Sequence, residues 1–131
     1  MPNGVTEQAQ ERQPLPLAIS NAMVKIYKEM FGRGPTRART NFAGSDIVVC
    51  TLRDTLTPAE RNMAKLGEHQ RLRDIRMFFQ YASEDELRGA VEELTGRKVV
   101  AFVSGLDTCE DVATEVFYLE PQDGDHRNGN H

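Results

Sequence analysis

Ile19, Met23, Ile26, Tyr27 and Met30, with Ala22 on the same stripe, recur at helical spacing and predict an amphipathic helix. "GRGP" (Gly32 to Pro35) follows. Gly32 or Gly34 can supply the left-handed residue that closes a helix, and Pro35 forbids resumption. From Thr36 to Phe42 the period becomes two: Thr36, Ala38, Thr40 and Phe42 share one face, and Arg37, Arg39 and Asn41 share the other. This predicts a strand with one solvated face, at a sheet edge where charges discourage edge-to-edge pairing. "AGSD" (Ala43 to Asp46) is a turn signal, and Ile47 to Leu52 is apolar on both faces, as expected of an interior strand. The two strands make a hairpin.

"TPAE" (Thr57 to Glu60) predicts a helix start: Thr57 caps, Pro58 fits the first helical position and Glu60 completes a capping box. An apolar stripe runs through Leu72, Ile75, Phe79, Ala82, Leu87, Ala90, Val91 and Leu94, with Gly67 and "ASEDE" as points of division. Ser83 and Glu86 have the spacing of a second capping box. Val99 to Val103 predicts a third strand, "SGLDTCED" (Ser104 to Asp111) a connector, and Val112 to Leu119 a fourth strand. On that last strand Phe117 and Leu119 share one face, and Val112, Val116 and Tyr118 the other. The order α-β-β-α-(α)-β-β implies an α+β domain: a mostly antiparallel four-stranded sheet with helices on one face. The uncovered face carries apolar positions, so the expectation is a partner chain there, a second copy.

The boundaries follow: 1–15 a flexible polar tail, 16–121 a single domain, 122–131 a disordered polar tail. A chain of 131 residues can bury a substantial core. No stretch suits a membrane span, and the N-terminus has no basic and apolar secretory pattern. Cys50 and Cys109 lack a C-x-x-C spacing and are expected to be free thiols in a reducing, cytoplasmic setting.

The net charge of −4 argues against a general nucleic-acid binder. The charge is nonetheless segregated. Lys25, Lys28, Arg33, Arg37 and Arg39 oppose only Glu29 in one stretch, whereas Asp107 to Asp125 holds seven acids and no base. Those five basic residues are the candidate partner- or anion-binding set. A backbone phosphate cradle at "GRGP" has the wrong polarity, since a helix C-terminus points at the loop. Lys28 and Arg33 are placed to answer its free carbonyls, while Arg37 and Arg39 stand side by side on the strand.

His69, His126 and His131 have no zinc spacing, and His69 reads as a surface residue. Cys50 lies in an apolar strand and Cys109 among acids, neither of which favours a thiolate. The acidic runs Glu84 to Glu86 and Glu92 to Glu93 read as solvated helix faces. No catalytic, cofactor or metal residue is assigned. In "MFFQY", Phe78 or Tyr81 falls outside a single stripe and is expected to reach the sheet or a dimer contact.

"ISNAMVKIYKEMFGRGPTRART", "DIVVCTLRDTLTPAE" and "LRGAVEELTGRKVVAFVSGLDTCEDVATEVFYLEP" together resemble the small bacterial MpsC-type (YbcI-like) family over Leu17 to Pro121. Gly32, Gly34, Pro35, Thr36, Thr57 and Glu60 stand at matching positions. "RMFFQYASEDE" departs from the pattern, being less continuously helical. The resemblance implies association with a sodium-translocating, membrane-potential-generating system, as a cytoplasmic accessory or adaptor rather than a pump, and implies no catalytic residues. The expected function is therefore a non-enzymatic adaptor, homodimeric, binding a protein partner through a basic face. The alternatives are a module binding a small anion, nucleotide or nucleic acid through Arg37 and Arg39, and an enzyme with an unrecognised site.

Overall fold

A computed structural model describes residues 13–122. The assignments made for the terminal tails, including His126 and His131, fall almost wholly outside them. Helix α1 (Leu15–Phe31) leads into the hairpin β1 (Arg37–Phe42) and β2 (Ile47–Arg53). Helices α2 (Pro58–Lys65), α3 (His69–Ala82) and α4 (Glu84–Thr95) follow, then β3 (Val99–Asp107) and β4 (Val112–Leu119). The sheet is antiparallel throughout, in the order β1-β2-β4-β3. The α+β architecture is the one the patterning implies, with β1 at an edge and β2 inside.

Helix α1 ends at Gly32, whose φ of 81° lets its N–H reach the Lys28 carbonyl at 2.9 Å. The choice left open between Gly32 and Gly34 falls to Gly32. A side chain at Gly34 would press on Val24 at 3.3 Å. At α2, Thr57 Oγ1 accepts from the Glu60 N–H and Glu60 Oε1 accepts from the Thr57 N–H, which makes the capping box complete. The second box does not form. The Ser83 hydroxyl instead donates to the Met30 sulfur at 3.3 Å, and no side chain caps α4. β3 also runs on to Asp107, so the expected connector contracts to a tight turn.

Alternation along the strands sorts the sheet into two faces. Val48, Cys50, Leu52, Ala113, Phe117 and Leu119 turn toward α1 and α4, where they pack with Ile19, Met23, Tyr27, Leu87 and Val91. Thr40 marks the same face on β1, its hydroxyl 2.8 Å from that of Ser20. The stripe expected on α3 is corrected in register. Leu72, Arg76 and Gln80 point inward, while Ile75 and Phe79 remain 44% exposed. Arg76 and Gln80 win the interior because the core holds polar partners for them.

Candidate functional site

The strand register assembles an arginine cluster on the sheet's open face. Arg37 lies directly across from Arg53, and Arg39 across from Thr51. With Thr36 and Ala38 these residues line a depression of about 590 Å³. Among the described residues none of the three guanidiniums forms an ion pair. Like charges directly opposed on a sheet cost stability. Arg53 escaped the sequence reading because it ends a strand that looked purely apolar; its place opposite Arg37 depends on hairpin register.

Two further rows cross the same face beside the cluster. Asn41, Val49, Val116 and Val103 form one, and Ile47, Tyr118 and Ala101 the other. Val103 is 50% exposed and Tyr118 37%. The open face is therefore basic at one end and apolar along its middle.

The remaining candidates lie elsewhere. Lys25 and Lys28 are exposed on α1, which packs against the opposite face of the sheet. Arg33 does not answer the carbonyls of α1: it donates to the Leu56 carbonyl at 2.6 Å and to Asp54 Oδ2 at 3.2 Å. That bond, first among several effects, holds the Asp54 carboxyl below its usual range. Arg61 donates to the other oxygen of Asp54 at 3.0 Å. Next to this clasp, the Asp111 carboxylate accepts from the N–H of Thr55 and of Leu56, tying the β3–β4 turn to the loop before α2.

A buried polar network fills the gap between α1, α3 and the sheet. Tyr27 donates to Glu115 Oε2 at 2.5 Å, and Glu115 Oε1 is buried without a partner among the described residues. Burial lifts the Glu115 carboxyl to about 7, against the opposing pull of the Ser104 and Tyr27 hydroxyls and of Arg76. Burial and the neighbouring carboxylate push the Tyr27 phenol well up. Ser104, across the ladder from Glu115, accepts from Gln80 at 2.7 Å. Arg76, wholly buried, donates to Gln80, Glu60 and Thr55 and stacks 3.9 Å above the Phe31 ring. The sequence did contain a signal: alternation puts Glu115 on the same face as Ala113, Phe117 and Leu119.

Cys50 is a core residue whose thiol burial pushes up to about 11, and Cys109 is exposed in the β3–β4 turn. His69 is tied down rather than free at the surface, with Nδ1 2.7 Å from the Thr108 hydroxyl. Tyr81 reaches the sheet, taking the Ser104 N–H at 2.9 Å, while Phe78 stays outside. Among the acidic runs, Glu92 accepts from the Val99 N–H and Glu84 pairs with Arg88. No group of three or more His, Cys, Asp or Glu side chains among the described residues could hold a metal ion, and no described helix is long and apolar enough to cross a membrane.

An α+β domain with one sheet face under helices, the other open and basic at one end, is the class of protein these features define. The chain belongs to the MpsC family, whose model is described as the Na+-translocating membrane potential-generating system (MpsC) and matches residues 11–121. It is 30% identical over 98 residues to the uncharacterized protein YrhF of Bacillus subtilis (strain 168), a match covering 73% of this chain and 80% of that relative. No solved structure gives a significant match.

Proposed function

We propose that the protein is a non-enzymatic accessory module whose domain, residues 16–121, works as a cytoplasmic homodimer. It docks the open sheet face on an acidic protein surface, and the family's description suggests that the partner belongs to a membrane cation-transport system. The observation that carries this reading is the trio Arg37, Arg39 and Arg53, without an ion pair among the described residues, beside the row of Val49, Val116 and Val103. Edge protection explains charge on β1 but not Arg53, which sits on the interior strand. Carboxylates between opposed guanidiniums relieve their repulsion, and the apolar rows supply the dry centre of a protein interface. Lys25 and Lys28 on the other side, and Arg33 in its clasp, are outside this contact.

The test is co-purification from the native host with the full chain and with Arg37→Glu plus Arg39→Glu, at low and high salt. The expected result is a defined partner that dissociates with salt and is lost with the double reversal. A partner retained equally by the variant overturns the role of the cluster.

The depression itself favours a second reading, a site for a small anion or nucleotide, because Thr36 and Thr51 line it together with the three arginines. A thermal-shift screen with phosphate, nucleotides, RNA and DNA at low salt decides it. Stabilisation that the double reversal abolishes supports this reading; no shift with any of them removes it.

A further inference from the structure

β3 lies at an edge of the sheet without the charges that protect the other edge. β1 carries Arg37 and Arg39, whereas β3 has neither a charge nor a proline from Val99 to Leu106, and Val100 (52%) and Val103 (50%) stand in solvent. The backbone groups of an antiparallel strand turn alternately to its two sides. Those of Ser104 turn away from β4, and by alternation those of Phe102 and Leu106 do the same. Val99 joins them beyond the irregularity between Val99 and Ala101, since it is Lys98 that bonds back to Glu120 of the neighbouring chain segment.

Helical side chains occupy this edge. The Tyr81 hydroxyl takes the Ser104 N–H at 2.9 Å and donates to the Ser104 carbonyl at 3.3 Å. Glu92 accepts from the Val99 N–H at 2.9 Å, and Arg88 donates to the Val99 carbonyl at 3.2 Å. Tyr81 is 41% exposed, so burial of the side chain does not account for the position of its hydroxyl. Its ring meets Phe102 edge to face, with centroids 5.5 Å apart, and this contact holds the hydroxyl against Ser104.

An added strand bonds to successive outward residues, and on β3 that run is Phe102, Ser104 and Leu106. One hydroxyl at its centre divides the run into two lone residues. We propose that Tyr81 is an edge guard, whose hydroxyl keeps β3 from pairing with β3 of a second copy of this chain. The run is its own complement: with a two-fold axis at Ser104, Phe102 of one copy faces Leu106 of the other, and no like charges oppose each other. Arg88 and Glu92 close Val99 in the same manner, from α4. The guard acts whether or not the protein forms the homodimer proposed above, and it bars β3 as the seam of that dimer.

The experiment is sedimentation of the full chain across a concentration series, with amide hydrogen exchange on each sample. The samples are the wild type, Tyr81→Phe, Tyr81→Phe with Val103→Lys, and Tyr81→Phe with Leu66→Lys. Tyr81→Phe keeps the ring on Phe102 and loses only the hydroxyl. Val103→Lys puts a charge on the edge strand itself, a different protection for the same edge. Leu66→Lys adds that charge at an exposed position (78%) outside the sheet. The expected result is self-association of Tyr81→Phe about tenfold stronger than that of the wild type, with exchange slowed at Phe102, Ser104 and Leu106 in the associated form. Val103→Lys returns the wild-type behaviour and Leu66→Lys does not, a contrast that loss of folding cannot imitate. Self-association of Tyr81→Phe equal to that of the wild type overturns the inference. So does association that leaves those three amides unprotected, or that Leu66→Lys suppresses as well as Val103→Lys.

Discussion

The Tyr27 hydroxyl donates a 2.5 Å hydrogen bond to Glu115 Oε2, joining the first helix to the last strand across 88 residues inside the core. Glu115 is fully buried, so its charge is disfavoured in the folded state. Its folded carboxyl, lifted to about 7, stays protonated where the unfolded one, near 4.5, has already ionised. Stability from this group is therefore full below about pH 4.5 and declines as pH rises toward 7. Glu115→Gln keeps an acceptor for Tyr27 and cannot ionise. Urea unfolding should show the variant gaining on the wild type from pH 5 to 7, by on the order of 2–3 kcal/mol, and level beyond. A pH-independent difference would show that Glu115 does not titrate in this range.

Arg76 has no exposed surface and holds Glu60, Gln80 and Thr55 while stacking on Phe31. Removing it leaves those partners with unmet needs in a dry site. Arg76→Ala should cost about 3–5 kcal/mol in denaturant unfolding. Arg76→Met, which keeps much of the volume, should cost less. Equal losses would locate the contribution of Arg76 in its charge alone.

Arg53 offers a contrast between stability and binding. Arg53→Glu turns a like-charge cross-strand pair with Arg37 into an attractive one and should raise stability by about 0.5 kcal/mol. The same change should weaken capture of an acidic partner. Thermal unfolding and the co-purification assay should therefore move in opposite directions.

Gly32, at a φ of 81°, has no atom near its missing side chain, so substitutions there report backbone conformation alone. Gly32→Ala should destabilise by about 1 kcal/mol and Gly32→Asn by less, since Asn tolerates the left-handed region better. Differential scanning calorimetry of the two variants checks the order.

A thiol reagent should label Cys109 at once and Cys50 only on unfolding. Cys109 is exposed, whereas Cys50 is buried with its thiol lifted to about 11. Mass spectrometry of singly labelled protein should find the label on Cys109.

The sequence by itself determined most of the elements, and the faces of α1 and of the strands. Helical and strand periods, the Thr57–Glu60 box and the "GRGP" stop are local: residues a few positions apart already hold the information, and the α+β class follows from their order. The alternation of β1 likewise put Arg37 and Arg39 on the solvated face. The tertiary structure decided who meets whom. Arg53 joined the cluster through hairpin register, and Arg33 was drawn to Asp54 and Leu56 by a loop far along the chain. α3 turned Arg76 and Gln80 inward, against its apolar pattern, because Glu60, Thr55 and Ser104 waited there. Burial of a polar side chain depends on partners that folding brings from other elements, and no periodicity along one element records them.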